Sequence, residues 1–311
     1  MRITLIHNPG AGAQGAEDAA LLQRLFRERG HQLRYQSSKD DDWKDALGKP
    51  ADVIAIAGGD GTVGKVARRM AGKGVPLVAL PCGTANNISR TLGLHDQPFE
   101  LIVDGLKTPR SVKLDVGMVS APWGERTFIE GVGAGLFASL LARPKKRGQG
   151  AAKTEARIAS GLERLKKLAQ DAEPMALQAR LDGKDISGRY LLVEAMSILY
   201  VGPSLFLAPE STPGDGNLDV VLVGESQRDR LVTYLESWQD NRERIAVLPS
   251  HRGRHLEIEW SGFDVHVDDK LKPKPGKDVA APPGRIDVRL DELSVEFLCP
   301  AHDGHQAGMK S

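Results

Sequence analysis

The chain has 311 residues, of which 41% are apolar and 27% charged, a composition typical of a globular protein with room for two domains. Its formal charge of +1 gives no reason to expect a nucleic-acid partner, and no apolar run is long enough to span a bilayer. The two cysteines, Cys82 and Cys299, are too few for a disulfide framework and predict a cytoplasmic protein.

Strands and helices alternate in the first part of the chain. The opening residues, MRITLIHNPG, are interrupted by Asn and Pro, so we interpret them as a first strand and not as a signal peptide. Apolar runs predict strands at residues 2–6, 31–37, 53–57 and 77–80. Amphipathic spacing predicts helices at residues 16–30, 40–47 and 63–71. This alternation predicts an α/β fold with a doubly wound parallel sheet, covered by helices on both faces.

From residue 112 onward, short strands separated by turn signals dominate. The predicted strands lie at residues 112–119, 127–132, 176–181, 190–198, 218–223, 256–260, 264–267, 285–290 and 294–298. Helices are predicted at residues 155–170 and 228–241, and mobile segments at 143–150 and 270–284. The pattern predicts a C-terminal antiparallel, β-sandwich-like domain.

The change of pattern predicts the division of the chain into domains. We expect an α/β domain at residues 1–110 and a β-rich domain at residues 111–290. Residues 291–311 are expected to form a final strand that returns to the N-terminal domain, followed by a disordered tail.

Two glycine patterns match known phosphate-binding motifs in part. Residues 10–15 have the dinucleotide-binding spacing of glycines, but the following strand ends without the acidic residue that binds the ribose. Residues 59–65 resemble a P-loop, but the next residue is Val66 and not the Ser or Thr that holds Mg²⁺. We therefore interpret neither pattern as the conventional site.

Glycine-containing turns follow three of the predicted parallel strands, at residues 8–12, 58–62 and 83–87. The carboxyl ends of parallel strands meet at one sheet edge, where ligands bind in open α/β folds. A single turn of this kind is usually structural, but three that also carry polar residues favour a nucleotide site. Asp60, in the second turn, would repel a bare phosphate, so we expect it to act with a cation or in a proton transfer.

These turns resemble the diacylglycerol-kinase-type lipid kinases, which are relatives of sphingosine kinases and, more distantly, of NAD kinases. The resemblance rests on GGDGT at residues 58–62, PCGTANNISRTLGL at 81–94, LDVG at 114–117 and DGNLDVVLV at 215–223. GGDGT is shared with NAD kinases, whereas the second segment indicates the lipid kinases. The resemblance implies ATP-dependent transfer of phosphate to a lipid hydroxyl with Mg²⁺. It also implies that nucleotide binds between the N-terminal domain and a C-terminal domain that receives the lipid substrate.

The resemblance also implies roles for individual residues. Those implied to bind nucleotide are Asn8, Pro9, Gly10, Gly12, Gly58, Gly59, Gly61, Thr62, Gly83, Thr84 and Asn86. Those implied to hold the metal are Asp60, Asn87 and Asp115. Asp268 is implied to be the catalytic base, and Asp60 is implied to position the metal or the phosphates.

The chain departs from the family pattern at carboxylates near the expected metal. The family's GTxND ends here in Asn87, and its DGE motif is replaced by Asp268, Asp269 and Lys270. Lys65 and Lys270 are candidates for direct contact with phosphate, although solvated surface lysines are the commoner case. We therefore expect a working lipid kinase with an altered metal site. A degenerate nucleotide- or lipid-binding protein and an NAD-kinase-like enzyme remain alternatives.

Residues 142–169 are the candidate membrane contact. A basic cluster at residues 143–147 precedes a predicted helix whose apolar face carries Ile158, Leu162, Leu165 and Ala169. Such a face either docks on anionic lipid or packs on the protein itself, which is the commoner case. We expect a cytoplasmic protein, peripheral at the inner face of the membrane, that is either a monomer or a homodimer. The expected lipid cleft is lined in part by Val132, Leu136, Phe137 and Leu140.

Overall fold

The computed structural model describes residues 1–12, 15–143, 154–240, 248–274 and 281–301. Its N-terminal elements are β1 (Arg2–His7), α1 (Gly15–Glu28), β2 (Gln32–Ser37), β3 (Val53–Gly58), α2 (Asp60–Met70), β4 (Leu77–Pro81), α3 (Asn87–Thr91) and α4 (Phe99–Asp104). The strands are parallel and lie in the order β2-β1-β3-β4. The doubly wound parallel sheet expected from the sequence is therefore confirmed.

The rest of the chain is rich in antiparallel strands. Its elements are β5 (Pro109–Ala121), β6 (Gly124–Phe128), β7 (Gly131–Gly135), α5 (Leu136–Ala142), α6 (Thr154–Asp171), β8 (Met175–Leu177), β9 (Ala179–Leu181), β10 (Lys184–Asp185), β11 (Gly188–Met196), β12 (Tyr200–Val201), β13 (Leu205–Phe206), β14 (Leu218–Gly224), α7 (Arg228–Asp240), β15 (Ser250–Gly253), β16 (His255–Trp260), β17 (Val265–Val267), β18 (Lys270–Lys272) and β19 (Gly284–Pro300). Sheet A continues from β4 through β19 to β16, β9 and β10, with β5 paired to β19 and β6 paired to β5. Sheet B has the order β15-β14-β11-β7-β17-β18, with β8 paired to β11.

Strand β19 joins the two halves of the fold. One of its edges pairs with β5, while the other pairs with β16 over residues 284–289 and with β4 at Phe297. A bulge between Leu290 and Ser294 lets one strand replace the two that the sequence predicted. The division into domains at residues 110 and 290 stays a prediction, and β19 runs through its second boundary.

Buried apolar side chains hold the β-rich part together. Val119 and Leu256 of sheet A pack with Val193 of sheet B, which gives the expected sandwich-like arrangement. On the other face of sheet B, apolar residues of α5, α6 and α7 form a separate cluster.

The apolar face of α6 belongs to this last cluster. Ile158, Leu162, Leu165 and Ala169 are at most 6% exposed. The face therefore packs on the protein and is not available to a membrane. Most of the basic cluster at residues 143–147, much of the segments predicted to be mobile, and residues 302–311 of the predicted tail lie outside the described residues. Within the described ranges, no helix is both long and apolar enough to cross a membrane.

Because Leu165 is 2% exposed, its replacement by Ala should lower the free energy of unfolding by about 2–5 kcal/mol, the usual range for a buried leucine. Urea denaturation measures this loss, and sedimentation with anionic vesicles should be unchanged. Lys167→Ala, on the exposed side of the same helix, is the matched control. Weaker vesicle binding by Leu165→Ala, without loss of stability, would contradict the packing argument.

Two of the local predictions that were wrong concern residues 40–47 and 127–132. The helix expected at residues 40–47 is only a short 3₁₀ helix at Asp45–Gly48. Asp40 and Asp42 instead accept hydrogen bonds from Gln36, as short acidic side chains often do outside helices. The strand expected at residues 127–132 is interrupted at residues 129–130, whose backbone N–H groups donate to a carboxylate of the candidate site.

Candidate active site

Strands β1, β3 and β4 end side by side, with His7 opposite Ala57 and Gly58 opposite Pro81. The turns that follow them therefore lie at one edge of sheet A, as the sequence predicted.

The first turn is held by hydrogen bonds made by the side chain of Asn8. The carboxamide Oδ1 of Asn8 accepts a hydrogen bond from the N–H of Gly10 at 3.1 Å, and its Nδ2 donates to Thr62 Oγ1 at 3.0 Å. Gly12 has a φ of +72°, and a Cβ there would lie 2.8 Å from the carbonyl oxygen of Cys82. Pro9, Gly10 and Gly12 are exposed. The glycine at position 12 thus permits both the turn and its close contact with the backbone that follows β4.

The other two turns are in direct backbone contact. A Cβ on Gly83 would lie 2.3 Å from the Cα of Gly59, so neither turn tolerates a side chain at this contact. Asn86 has a φ of +53°, and its Oδ1 accepts a hydrogen bond from the N–H of Gly83 at 2.9 Å. Gly58 is likewise confined, because its Cβ would lie 2.8 Å from Thr62 Cβ.

Asp60 is the first residue of α2, although the sequence predicted that the helix would begin at Val63. Gly59, in extended conformation, is the single residue between the end of β3 at Gly58 and the start of the helix. The Asp60 Oδ1 accepts a hydrogen bond from the N–H of Ile88 at 3.0 Å, at the start of α3. Burial raises the pKa of Asp60, although backbone N–H donors near Ile88 oppose the shift. Asp60 thus links the two turns while its carboxylate lines a cavity.

Asp268 lies in the turn between β17 and β18, with a φ of +49°. Its Oδ1 accepts hydrogen bonds from the N–H groups of Ile129, Glu130 and Gly131, at 3.1, 2.9 and 3.4 Å. Its Oδ2 pairs with the guanidinium of Arg68 on α2. The side chain is 8% exposed, and burial raises its pKa against the opposing effects of Arg68 and the backbone donors.

Glu130 is a third carboxylate in this region, and no motif in the sequence singled it out. Its side chain lines the same cavity as Asp60 and Asp268. Asn87 Nδ2 donates to Glu130 Oε2 at 3.1 Å. Burial, followed by repulsion from Asp60 and Asp268, raises the pKa of Glu130 well above its usual value. The Glu130 carboxyl group is therefore buried close to two other acidic side chains.

A buried pair lies beneath Asp268. His266 Nε2 and Glu194 Oε2 are 2.8 Å apart, and His266 Nδ1 lies 2.9 Å from the backbone oxygen of Asp268. Glu194 and His266 occupy strands on either side of β7 and both face Gly133. Burial lowers the pKa of His266, but Glu194 and the Asp268 carbonyl outweigh this effect, so that its net pKa is raised. The side chains of Glu194 and His266 can meet because Gly133, which lies between them, has no side chain.

Two cavities adjoin at these carboxylates. We call the first, of about 690 Å³, the basic cavity; its cationic residues are Lys65, Arg68, Arg126, Lys270, Lys272 and Lys274. We call the second, of about 460 Å³, the apolar cavity; its apolar residues are Ala85, Phe137, Leu140, Leu141, Val201 and Pro203. Gly61, Leu141, Asp268 and Asp269 line both.

The expected lipid cleft is only partly matched by the apolar cavity. Phe137 and Leu140 line it, as does Thr84 from the third glycine turn. Val132 and Leu136 are instead buried in the apolar clusters on either face of sheet B, because they pack against neighbouring strands and helices.

Asp115 lies apart from Asp60. It is 8% exposed, and its Oδ2 accepts a hydrogen bond from the N–H of Gly216 at 3.0 Å. It lines neither cavity, and burial raises its pKa. Asp215, which precedes Gly216 in the chain, accepts a hydrogen bond from the N–H of Asn217 at 2.9 Å and so closes a turn. It also pairs with Arg252. The roles of the predicted metal ligands stay predictions, and Asp115 is not brought to the other two.

Within the described ranges, one group of three His, Asp or Glu side chains has the spacing of a metal site. It consists of His255, Glu257 and Asp287, whose candidate ligand atoms lie within 4.8 Å of one another on β16 and β19. The guanidinium of Arg285 donates to both carboxylates, at 2.7 and 3.1 Å. The guanidinium already pairs with both carboxylates and balances one of their two negative charges, so we assign this group no metal.

Family models match most of the chain. A model described as "Diacylglycerol kinase catalytic domain" matches residues 2–119, and one described as "YegS C-terminal NAD kinase beta sandwich-like domain" matches residues 142–290.

Curated relatives and solved structures point the same way. The chain is 26% identical to a diacylglycerol kinase of Bacillus subtilis, with 87% of this chain and 88% of the relative covered. It is 29% identical to a "probable lipid kinase YegS-like" of Stenotrophomonas maltophilia, with 93% and 91% covered. A solved structure of a diacylglycerol kinase from Bacillus anthracis aligns over 96% of each chain, with a TM-score of 0.65 and 18% identity. At that identity the structural likeness is informative about the fold alone.

Proposed function

Because this chain belongs to the diacylglycerol-kinase-type lipid kinase family, we propose that it transfers the γ-phosphate of ATP to the hydroxyl group of a lipid. The related proteins carry the names diacylglycerol kinase and lipid kinase, and a diacylglycerol-like acceptor is the proposal for this chain. The acceptor would be taken from a membrane surface, to which the protein would bind peripherally.

The contact between the two cavities is the observation that carries this proposal. A cavity with several lysines and arginines suits a polyphosphate, whereas a cavity lined by Phe137, Leu140 and Val201 suits a group with hydrocarbon chains. Phosphoryl transfer requires the two substrates to meet end to end, with a base near the attacking hydroxyl. Asp268 lies on the wall that both cavities share.

In the proposed reaction, the lipid hydroxyl oxygen attacks the γ-phosphorus, and the bond from that phosphorus to the β–γ bridging oxygen breaks. ADP leaves, and the hydroxyl proton passes to the carboxylate of Asp268. Arg68, which pairs with Asp268 and also lines the basic cavity, is placed to bind developing negative charge on the transferred group. The glycine turns at residues 8–12, 58–62 and 83–87 would bind the rest of the nucleotide.

Residues at this edge fit a divalent cation. Asp60 offers a carboxylate, and the buried Oδ1 of Asn87 has no hydrogen-bond partner among the described residues. Carboxylate and amide oxygens are the ligands that Mg²⁺ takes, and the cation would supply positive charge at the phosphates. Asp115 is not used in this proposal, because it faces another turn.

The test is phosphate transfer from radiolabelled ATP, with Mg²⁺, to a panel of lipids in mixed micelles. We expect a labelled lipid product, and no NADP formation when NAD is supplied instead. Intact ATP binding without transfer to any lipid of the panel would favour the degenerate binding protein, and NADP formation would favour the NAD-kinase-like enzyme.

Charge variants extend the same assay to the basic cavity. Lys65→Met should raise the KM for ATP by about tenfold, because one charge-assisted contact to phosphate is lost. Lys184→Met, on the exposed strand β10, is the control and should leave the KM unchanged. An unchanged KM in Lys65→Met would remove the basic cavity as the phosphate site.

A further inference from the structure

Asn87 and Glu130 meet across the cleft between α3 and the start of β7. The Asn87 Nδ2 donates to Glu130 Oε2 at 3.1 Å and to the backbone oxygen of Gly202 at 3.2 Å. The two side chains belong to residues that are 3% and 7% exposed, respectively, and both line the apolar cavity beside Asp60. The sequence lacks a carboxylate at position 87, and a carboxylate from a distant part of the chain lies within hydrogen-bond distance of that position.

A second observation points to a missing partner at this place. The orientation of the Asn87 amide is fixed by its two donated hydrogen bonds, so that Oδ1 is directed away from them. Within the part of the chain that the structure describes, this buried oxygen has no hydrogen-bond partner. Buried carbonyl oxygens are rarely left without a donor or a cation. The same place therefore offers one unused amide oxygen, on Asn87, and one carboxyl group, on Glu130, that a divalent cation could bind in its deprotonated form.

We propose that Glu130 supplies the carboxylate that is missing at position 87, so that divalent-cation binding in this protein depends on Glu130 together with Asn87 and Asp60. The negative charge has moved from the first turn of α3 to the segment between β6 and β7, while its place in the cleft is retained. The cation class is a hard divalent ion such as Mg²⁺ or Mn²⁺, because all the donors are oxygens.

This inference rests on the proposed kinase function for its purpose, but its test does not require turnover. Mn²⁺ alone is titrated into the purified full-length chain, and free Mn²⁺ is followed by electron paramagnetic resonance. Glu130→Gln keeps the size of the side chain and its ability to accept from Asn87, but it removes the charge. We expect Mn²⁺ binding to weaken by about tenfold or more, because charge count sets the affinity of such sites.

Moving the charge back gives the sharper test. In the double variant Asn87→Asp with Glu130→Gln, the hydrogen bond can form with its direction reversed, the amide of position 130 donating to the carboxylate of position 87. We expect Mn²⁺ affinity to return to within about threefold of the wild type, since the same charge is restored. Thermal unfolding of each variant checks that a loss of binding is not a loss of folding.

The matched control is Glu125→Gln. Glu125 lies on β6 and is exposed, and it accepts a hydrogen bond from Ser120 Oγ at 3.0 Å. Its replacement removes one exposed carboxylate only five residues before Glu130 in the chain and should leave Mn²⁺ binding unchanged.

Three results would overturn the inference: no Mn²⁺ binding by the wild type, wild-type affinity in Glu130→Gln, or no recovery in the double variant. Failure of the proposed function gives a different result. In that case Mn²⁺ binding still depends on Glu130, but the protein transfers no phosphate to any lipid.

Discussion

Replacement of Asp268 by Asn is expected to lower kcat for phosphate transfer by a factor of about 10²–10⁴, the range for loss of a general base. The carboxamide is too weak a base to take the hydroxyl proton. Its NH₂ group must also face either the backbone N–H groups of residues 129–131 or the guanidinium of Arg68, all of which are donors. Steady-state kinetics with a lipid substrate measures the loss.

The pH profile supplies an independent check on Asp268. A base must be deprotonated to act, so wild-type activity should fall as the pH decreases through the pKa of Asp268, which burial raises. Asp264→Asn, at an exposed position just before β17, is the control and should keep the wild-type kcat. If Asp268→Asn retains more than about a tenth of the wild-type kcat, the base is another group. Glu130, in the same cavity, would then be the next candidate.

The glycine turns were predictable because their signals are local. An apolar run that ends in glycine reveals a buried strand and its turn within about ten residues of sequence. The strand order then places the turns side by side, as His7 opposite Ala57 and Gly58 opposite Pro81 show. The start of α2 at Asp60 was missed because a glycine-rich segment favours a turn, whereas Gly59 alone separates the strand from the helix.

Glu130 and the Glu194–His266 pair were not predictable, because they depend on which strands become neighbours. Glu194 lies 72 residues before His266 in the chain, and both meet across Gly133 of a third strand. A single Glu in a strand pattern usually faces solvent, and Glu130 gave no other signal. The alternation of glycines in Gly131–Gly135 was the available hint, since a central strand without side chains leaves space for its neighbours.

The basic cavity was predictable only in part, for the same reason. Lys65 and Lys270 stood near family motifs and were identified as candidates for phosphate contact. Arg126 and Lys272 reach the cavity from β6 and β18, which are far apart in sequence and come together only through the pairing of the sheets. The departures from the family pattern were visible, but whether the structure compensates for them was not.

Replacement of Gly133 by Ala is expected to lower the free energy of unfolding by about 3–5 kcal/mol, the range for breaking a buried charged pair. The added Cβ would lie 1.9 Å from Glu194 Oε2 and 2.7 Å from His266 Nε2, so the two side chains must separate. Glu194 is 0% exposed and its Oε1 already has no hydrogen-bond partner among the described residues, which leaves no alternative contact for its charge. Chemical denaturation measures the loss.

The pH dependence of stability tests whether loss of the Glu194–His266 pair causes the destabilisation in Gly133→Ala. The pKa of His266 is raised in the folded state. The contribution of the pair to the free energy of unfolding is therefore fully present below the unfolded-state pKa of about 6.5, and it is lost as the pH rises through the folded-state pKa. Gly133→Ala should remove this dependence, whereas Gly224→Ala, whose Cβ has ordinary contacts at 3.6 Å, should retain it. In a double-mutant cycle, Glu194→Ala should make the Gly133→Ala change less destabilising, because the closest clash is gone. Strict additivity of the two changes would show that the added methyl group at position 133 acts through the backbone and not through the pair.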